Sequence, residues 1–395
     1  MKHKWDRKKG REYIIFAVMV AILVMGLSFC SSCARQQSGG ISDHRELTVA
    51  FVGDIMMHDC QIKRSYQADS NTFDVSDSFS YMKDYLKTPD IMIGNLETTL
   101  AGQYQGLRRD CIGYSGYPTF NSPEILAKNL KDAGFDLVTT ANNHCLDSGL
   151  SGLQSTIEEL DKVGLMHIGT GARQLEVLEV NGITIGLLSY TYDVNFSVDP
   201  KNCGQINTLN GYEEDSISEL IEQVSDLRRQ GTDFVCVLLH WGTEYQSTPD
   251  EQQRMLAKRL MENGVDLIVG SHPHVVQPIE AYEIEAADGN RHRGYVCYSL
   301  GDFLSGSSYG NDGIDKDLGC LVNVKLVTYV QNGIKHCEIQ ELDYVTTCLH
   351  WTEELIAPIP VVDTLEGRLQ VELLSEREKE RLEYGAGKEY VVEQR

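Results

Sequence analysis

Apolar and polar positions along the chain follow two periods, one typical of buried strands and one typical of amphipathic helices. The runs ELTVAFVGD, DIMIGN, FDLVTTANNH, DFVCVLLHWG and VDLIVGSHPH are short and apolar, which predicts buried strands. Segments with apolar residues at helical spacing lie between them, for example SPEILAKNLKDAG, GLSGLQSTIEELDKVG and PDEQQRMLAKRLMENG. This regular alternation predicts an α/β fold in which mixed sheets are sandwiched by helices.

Helix-capping and turn residues predict where several helices and strands begin or end. Ser122 is predicted to be the N-cap of a helix with Pro123 at its first position, and Asn181-Gly182 to be the turn of a β-hairpin. A charged helix is expected over Ser375 to Tyr384. The predicted organisation is an N-terminal segment over residues 1–40, one α/β domain over residues 46–350 and a C-terminal extension over residues 351–395.

The N-terminal segment has a character of its own. Six lysines and arginines precede an apolar run of about 17 residues from Tyr13 to Phe29, a length between that of a signal peptide and that of a membrane span. The basic flank predicts that this end stays cytoplasmic and that the rest of the chain lies outside the cell. Two alternatives are open, an uncleaved signal anchor or a lipoprotein signal with Cys30 or Cys33 as the lipidated residue. Both predict a protein attached to the cell membrane with an extracellular main domain.

Net charge and cysteine content narrow the classes of function. A formal net charge of -23 argues against a general nucleic-acid-binding protein, because such a protein needs a basic face. The same charge disfavours tight binding of long polyanions unless a bound cation offsets it locally. No CxxC spacing occurs beyond the N-terminal segment, so neither a disulfide framework nor a zinc ribbon is predicted. Cys236, Cys297 and Cys320 lie in strand-like runs and are expected to be small buried apolar residues.

Polar side chains follow one apolar strand after another. Each cluster alone is more typical of a turn or a helix cap than of a site, and His58 and Asp59 are expected to flank the helix that follows them. Together the clusters predict one site, because ligands of α/β sheets bind beyond the carboxyl ends of the strands. Carboxylates, amide oxygens and imidazoles form a ligand set that suits Mn²⁺, Fe or Zn²⁺. The candidates are Asp54, Asn95, Glu97, Asn142, Asn143, His144, Asp147, His240, Glu244, His272, His274 and Asp302.

The segment GSHPHVVQP carries a histidine on each side of Pro273. Because proline fixes φ and has no backbone donor, His272-Pro273-His274 is predicted to be extended. Residues two apart in an extended segment point to the same side, so both imidazoles are expected to face one site.

These motifs, in this order, resemble the CapA family of capsule (poly-γ-glutamate) synthesis proteins, which is itself similar to the calcineurin-like metallophosphoesterases. The resemblance covers about Leu47 to Leu304 and rests on VGDIMMHD, GNLETTL, AGFDLVTTANNHCLDSG, HWGTEY, GVDLIVGSHPHVVQ and YSLGDF. It implies a four-layer αββα sandwich with one or two divalent metal ions at the strand ends. It also implies that His144, steered by a carboxylate such as Asp147, protonates or stabilises the leaving group. The metal-site residues that it implies are Asp54, Glu97, Asn143, His240, His272 and His274, with Asn95 close by.

The chain departs from these patterns at three motifs. Met56 stands where the phosphoesterase motif D-x-H has its histidine, and a thioether is a poor ligand for hard ions. Asn95 or Glu97 takes the place of an aspartate in the second motif. Asp302 replaces the usual asparagine of the CapA pattern and adds a negative charge. The first two departures imply that one of two ions is weakly held or absent. Glu244 and Asp302 are assigned to substrate binding.

Three functions are compatible with these residues. The first is a metal-dependent hydrolase that cleaves a phosphoester or an amide bond in an anionic polymer, with His144 as general acid. The second is a non-catalytic surface component that binds or guides polyglutamate for a membrane synthase complex. The third is a secreted phosphoesterase of ordinary substrates, since fold does not determine function. The favoured biological process is polyglutamate capsule synthesis, and the favoured reaction is metal-dependent hydrolysis.

Overall fold

The computed structural model describes residues 42–196, 205–285, 291–307 and 313–392. The described residues divide into two compact units: residues 42–44 with Tyr329–His336 form the small one, and the rest of the described residues form the large one. The predicted membrane anchor lies outside the described residues. Within the described ranges, no helix combines the length and the apolar character that crossing a membrane requires.

Strands and helices alternate over most of the described chain. The strands are β1 (Ser42–Ile55), β2 (Tyr66–Gln67), β3 (Thr72–Phe73), β4 (Ile91–Leu96), β5 (Leu137–Thr139), β6 (Met166–Ile168), β7 (Leu175–Val180), β8 (Ile183–Thr191), β9 (Phe234–His240), β10 (Leu267–Ser271), β11 (Ile279–Glu285), β12 (Arg291–Cys297), β13 (Asp302–Leu304), β14 (Leu318–Gln331), β15 (Ile334–Trp351), β16 (Ile356–Pro360) and β17 (Val391–Val392). The helices are α1 (Asp59–Ser65), α2 (Lys83–Lys87), α3 (Ile125–Ala133), α4 (Gly149–Val163), α5 (Glu214–Arg229), α6 (Glu251–Glu262), α7 (Val361–Leu365) and α8 (Glu376–Ala386), and a 3₁₀ helix, Ser76–Met82, precedes α2.

Two large mixed sheets carry the fold. The first has the order β16-β15-β14-β1-β4-β5-β6, with β13 paired to β1, and the second has the order β17-β11-β12-β10-β9-β8-β7. In the first sheet β1, β4, β5 and β6 are parallel neighbours, and β13 is parallel to β1. In the second sheet β8, β9, β10 and β12 are parallel neighbours. The central strands of both sheets therefore point their carboxyl ends in one direction within each sheet.

Three apolar cores explain why the central strands are apolar on both faces. Alternate residues of β1 point to opposite sides, so Phe51 joins a core shared with Leu187 of the second sheet, while Val52 joins a core with Leu130 of α3. A third core packs α5 and α6 against the other face of the second sheet, for example through Leu220. Fully burying one such leucine stabilises the fold by about 1.5–3 kcal/mol. The resulting layer order is helix, sheet, sheet, helix, as the resemblance implied.

Most predicted elements form, with one boundary shifted. Asn181 and Gly182 form the two-residue turn between β7 and β8, both with positive φ, which confirms the hairpin. The helix predicted to begin at Pro123 begins instead at Ile125, so the prediction for Ser122 is wrong. The reason is that Ser122 is already bonded elsewhere: its N–H donates to the Thr99 carbonyl at 2.9 Å, and its Oγ lies 2.8 Å from a threonine hydroxyl.

The segment after residue 351 contributes to both sheets. β16 is the edge strand of the first sheet beside β15, and β17 is the edge strand of the second beside β11. The predicted charged helix forms as α8, with Ser375 as its N-cap. Arg381 of α8 is buried, and its guanidinium donates two hydrogen bonds of 2.8 Å to the carboxylate of Asp317.

The cysteines expected to be buried in strands are buried. Cys236, Cys297 and Cys320 lie in the core between the sheets, and none of the described cysteines forms a disulfide. Burial raises the pKa of the Cys297 thiol to about 12, so the thiol is inert at neutral pH.

Candidate metal centre

Parallel pairing aligns the polar ends of the strands into two rows. In the first sheet, Asp54 of β1 is in register with Asn95 of β4 on one side and with Asp302 of β13 on the other. In the second sheet, His240 at the end of β9 is in register with Ser271 of β10. Because the carboxyl ends of parallel strands share an edge, each sheet presents its polar side chains together at one edge.

Short contacts join the two rows. The backbone N–H of His272, which follows β10, donates to the carboxylate of Asp54 at 3.1 Å. The amide of Asn95 donates to the other oxygen of Asp54 at 2.8 Å, and the same amide nitrogen lies 3.2 Å from Nδ1 of His240. The edges of the two sheets therefore meet, and the clusters that are scattered along the sequence form one site.

One group of potential metal ligands consists of Glu97, His240 and His272, whose ligand atoms lie within 4.8 Å of one another. Nε2 of His240 lies 3.4 Å from Oε1 of Glu97 and 2.8 Å from Oδ1 of Asn143. The Asn143 oxygen can therefore join the same group. All four side chains are buried.

A second group consists of Asp54, His274 and Asp302, again with ligand atoms within 4.8 Å. Nδ1 of His274 lies 2.9 Å from Oδ1 of Asp302 and 3.4 Å from Oδ2 of Asp54. A third combination joins His272 and His274 with Glu244, which is exposed at the rim of the site. The two buried groups lack cysteine, as the sequence predicts for hard or borderline divalent ions.

The residues present fit a divalent cation. Glu97 is 0% exposed, and neither of its carboxylate oxygens has a hydrogen-bond partner. Nδ1 of His272 and Oδ2 of Asp302 are likewise buried without a partner. A buried carboxylate with no donor is costly in a protein interior unless a cation compensates its charge. Unpartnered carboxylate oxygens and imidazole nitrogens are atoms that can bind a metal ion, and each of the two buried groups contains at least one of them.

The pKa shifts of the histidines in the site are consistent with binding of a divalent cation. Burial, and after it the neighbouring His274, lowers the pKa of His272 to about 3. Burial and the proximity of His272 also hold the pKa of His240 well below its usual range. Both rings are therefore neutral at physiological pH, and a neutral imidazole is the form that binds metal. Burial and the adjacent Asp54 raise the pKa of Glu97, whereas the nearby His274 lowers it.

The His272-Pro273-His274 segment is not extended, so that prediction is wrong. His272 has φ of 98° and His274 has φ of 56°, both in the left-handed region that non-glycine residues seldom adopt. The His272 N–H is held by Asp54, and the Pro273 carbonyl accepts a 2.8 Å hydrogen bond from the N–H of Tyr245. These hydrogen bonds to residues distant in sequence hold the His272-Pro273-His274 segment in a bend. The two rings nevertheless lie on the same site, with their centroids 6.0 Å apart.

The side chains of His144 and Asp147 are in contact at one side of these groups. Nδ1 of His144 lies 2.6 Å from Oδ2 of Asp147, and the same oxygen accepts the N–H of Phe120 at 2.6 Å. Burial raises the pKa of Asp147, whereas the hydrogen bond with His144 lowers it. The Phe120 ring meets the imidazole edge-on at 4.8 Å, and Nε2 of His144 lies 4.0 Å from Oε1 of Glu97. The Nε2 atom of His144 is therefore directed toward Glu97.

Asn95 lies behind the ligands. Its Oδ1 accepts hydrogen bonds from the Thr139 hydroxyl at 2.9 Å and from the Asn142 amide at 3.3 Å, while its Nδ2 donates to Asp54. These bonds orient the carboxylate of Asp54. His58 caps α1, as expected, and its Nδ1 accepts the N–H of Gly306 at 2.9 Å.

Two further residues that contact the site were not identified from the sequence. Nδ2 of Asn195 lies 3.3 Å from Nδ1 of His144, and the Asn195 N–H donates to the Asn143 carbonyl at 2.9 Å. The Ser271 hydroxyl lies 2.9 Å from Nδ1 of His240 and orients that ring. Neither residue belongs to a motif that marks a ligand, so only their tertiary contacts reveal them.

Comparisons with known proteins place these motifs in one family. The model of the family described as bacterial capsule synthesis protein PGA_cap matches residues 48–307. The PGA biosynthesis protein CapA of Bacillus subtilis (strain 168) is 28% identical over 307 residues, which cover 76% of this chain and 74% of that protein. The capsule biosynthesis protein CapA of Bacillus anthracis is 29% identical over 319 residues and covers 76% of this chain and 70% of its own.

Among solved structures, the calcineurin-like phosphoesterase YfkN from Bacillus subtilis is similar over 87% of this chain and 99% of its own, with 16% identity and a TM-score of 0.42. The family model covers more than half of the chain and contains every residue of the two buried ligand groups. The chain therefore belongs to the bacterial capsule synthesis protein PGA_cap family.

Proposed function

We propose that this protein is a metal-dependent hydrolase of polyglutamate capsule synthesis that cleaves a phosphoester or an amide bond in an anionic polymer. Family membership supports the process. The observation that carries the chemistry is Glu97, a fully buried carboxylate without a hydrogen-bond partner, whose ligand atom lies within 4.8 Å of imidazole nitrogens of His240 and His272. A bound cation would compensate the burial of the ionised Glu97 carboxylate.

The metal would be Mn²⁺, Fe or Zn²⁺, held by Glu97, His240 and His272 with the amide oxygen of Asn143. When bound, such an ion supplies Lewis-acid chemistry and withdraws electron density from the oxygens of the scissile group. The chain's own residues keep these ligands rigid. Ser271 fixes the ring of His240, and Asn95 fixes the carboxylate of Asp54.

His144 acts as the general acid in this proposal. Asp147 accepts a hydrogen bond from Nδ1–H of His144 and stabilises the protonated ring. Nε2–H then faces the centre, where it can give its proton to the leaving group. The Phe120 N–H, which donates to the same Asp147 oxygen, keeps the carboxylate from turning away.

An acidic protein that acts on an anionic polymer must overcome charge repulsion. The formal net charge is -23, so the long-range field of the protein disfavours approach of a polyanion. Bound cations reverse the sign of the local field at the strand ends. The proposal therefore requires the metal for substrate access as well as for chemistry.

The proposed location is the outer face of the cell membrane, beside a membrane polyglutamate synthase complex. The basic and then apolar order of residues 1–40 supports attachment by a signal anchor or a lipid. The relative from Bacillus subtilis is named a PGA biosynthesis protein, which supports the assignment to that process.

The test is turnover by the full chain purified in detergent. Poly-γ-glutamate and an aryl phosphate are offered after chelation and after return of Mn²⁺ or Zn²⁺. Cleavage of either substrate that disappears with chelator and returns with metal supports the proposal. Binding of polyglutamate with no cleavage under any metal contradicts the hydrolase and favours the non-catalytic component that guides polymer.

A further inference from the structure

We propose that Lys316 binds a carboxylate of the anionic polymer at the rim of the candidate metal centre. This inference rests on the part of the proposed function that names an anionic polymer as the ligand. Lys316 lies beyond residues 48–307, which the family model matches. The proposed binding position is therefore separate from the motifs that place the chain in its family.

Lys316 lies against an aromatic ring that borders the centre. Its Nζ is 5.3 Å from the centroid of the Tyr245 ring, and the same ring lies 5.9 Å from the imidazole of His274. The negative face of an aromatic ring attracts an ammonium group and holds it nearby. The lysine side chain is partly exposed, so its charge is accessible to a ligand at the rim.

The backbone of Tyr245 is held by the bend that carries both histidines. Its N–H donates to the Pro273 carbonyl at 2.8 Å, and its φ of 64° lies in the left-handed region. Tyr245 is 40% exposed, so its ring forms part of the surface at the rim. The ring therefore provides a fixed surface on which the Lys316 ammonium group lies.

Helix α8 holds the residues on both sides of Lys316. The guanidinium of Arg381 donates two hydrogen bonds of 2.8 Å to Asp317 and one of 2.9 Å to Oδ1 of Asp315. Oδ2 of Asp315 accepts a further hydrogen bond of 2.9 Å from the Tyr384 hydroxyl. Because both neighbours of Lys316 are bound to one helix, the backbone of the lysine stays beside Tyr245.

A cation at this rim has a large effect because the rest of the protein is acidic. The formal net charge is -23, and Glu244, the residue before Tyr245, is exposed at the same rim. These negative charges repel a polyanion, whereas an ammonium group attracts its carboxylates. Lys316 therefore favours one path for the polymer, along the Tyr245 ring toward the centre.

The test measures binding of poly-γ-glutamate and does not depend on cleavage. The full chain in detergent is reconstituted with Mn²⁺, and the Kd for fluorescently labelled poly-γ-glutamate is measured on ice at low and high ionic strength. Lys316→Ala should raise the Kd about 5-fold at low ionic strength, with a smaller difference at high ionic strength, because salt screens exposed ion pairs. Lys316→Arg should bind as the wild type does, since a guanidinium keeps the charge and also packs over aromatic rings.

Lys258→Ala is the matched control, because it changes the net charge by the same amount as Lys316→Ala. Lys258 is 69% exposed on α6, and its replacement should leave the Kd at the wild-type value. The metal content of every variant should equal that of the wild type, and loss of metal in Lys316→Ala would contradict a role confined to the polymer.

Equal Kd values for Lys316→Ala and Lys258→Ala would overturn the inference. A Lys316→Arg variant that binds as weakly as Lys316→Ala, or a wild-type protein that does not bind the polymer, would overturn it too. Metal-dependent cleavage with equal Kd values for the two alanine variants leaves the proposed function intact while this inference fails. Polymer binding that depends on Lys316, with no cleavage under any metal, supports this inference and contradicts the hydrolase.

Discussion

Contacts with residues that are distant in sequence fix the positions of the side chains in the site. The imidazole of His144 is held between the Asp147 carboxylate and the Phe120 ring, and Asn195 approaches its Nδ1. The sequence identified His144 and Asp147 because they follow a strand within one motif. It did not identify Phe120 or Asn195, since neither lies in that motif and their roles arise only from tertiary contact.

Replacing His144 separates chemistry from metal binding. Because His144 is predicted to transfer a proton without binding the metal, His144→Ala should lower the turnover number by about 10²–10⁴-fold with metal content unchanged. Asp147→Asn should lower it by a smaller factor, since the ring loses the carboxylate that orients it. Steady-state kinetics with metal analysis of each variant make the measurement. Loss of metal in His144→Ala would contradict the role.

Among the helices and strands, sequence patterns predicted correctly those elements whose structure depends on neighbouring residues. The periods of β1, α4 and α6 and the Asn181-Gly182 turn were predictable because spacing and turn chemistry specify them. The bend at His272 and His274 was not, because Asp54 and Tyr245, which are distant in sequence, hold its backbone. The start of α3 was predicted too early for the same reason, because Ser122 forms hydrogen bonds with residues outside the helix.

Helix α8 should make stability sensitive to acid. Burial raises the pKa of Glu378, but hydrogen bonds from His350 and Ser375 and from the Trp351 and Ser375 N–H groups lower it to about 2, against 4.5 when unperturbed. A carboxyl group with a depressed folded pKa stabilises the fold above its unfolded pKa, and this contribution is lost as pH falls toward the folded pKa. The free energy of unfolding of the wild type should therefore fall between pH 4.5 and about 2.

Glu378→Gln tests this contribution. The variant should be about 1–3 kcal/mol less stable at pH 7 and should lose less on acidification. Glu376→Gln on the same helix is the matched control, because the Glu376 side chain is 88% exposed, and it should behave as the wild type. Denaturant unfolding at pH 7 and pH 3 provides the measurement. Equal stability of Glu378→Gln and wild type at both pH values would refute the assignment.

At the scale of the whole molecule, two sheets meet at their polar strand ends, and the C-terminal segment closes an edge of each. The layer order and the family followed from the alternation of strands and helices and from the motifs. The contribution of β16 and β17 was not predictable, because such short edge strands carry little periodicity. The buried pair of Arg381 and Asp317 likewise joins positions far apart in sequence.

Residues 1–40 should determine where the protein resides. Expressed in a bacterial host, the full chain is expected in the membrane fraction and accessible to protease added to intact cells, because its basic flank stays inside. A chain that begins at residue 42 should lose membrane association. Replacing both Cys30 and Cys33 with serine distinguishes the two anchors, as it releases a lipoprotein and leaves a signal anchor in place. Full-length protein in the soluble cytoplasmic fraction would exclude both.

The most direct test of the metal centre is the metal content of the wild-type protein against Glu97→Gln. Glutamine keeps the shape of Glu97 and removes the negative charge that would bind the proposed ion. We expect at least one stoichiometric Mn, Fe or Zn ion in the wild type after reconstitution and a loss of affinity of at least about 10-fold in the variant, equivalent to about 1.4 kcal/mol. A wild-type protein without stoichiometric metal, or a Glu97→Gln variant with undiminished affinity, would contradict it.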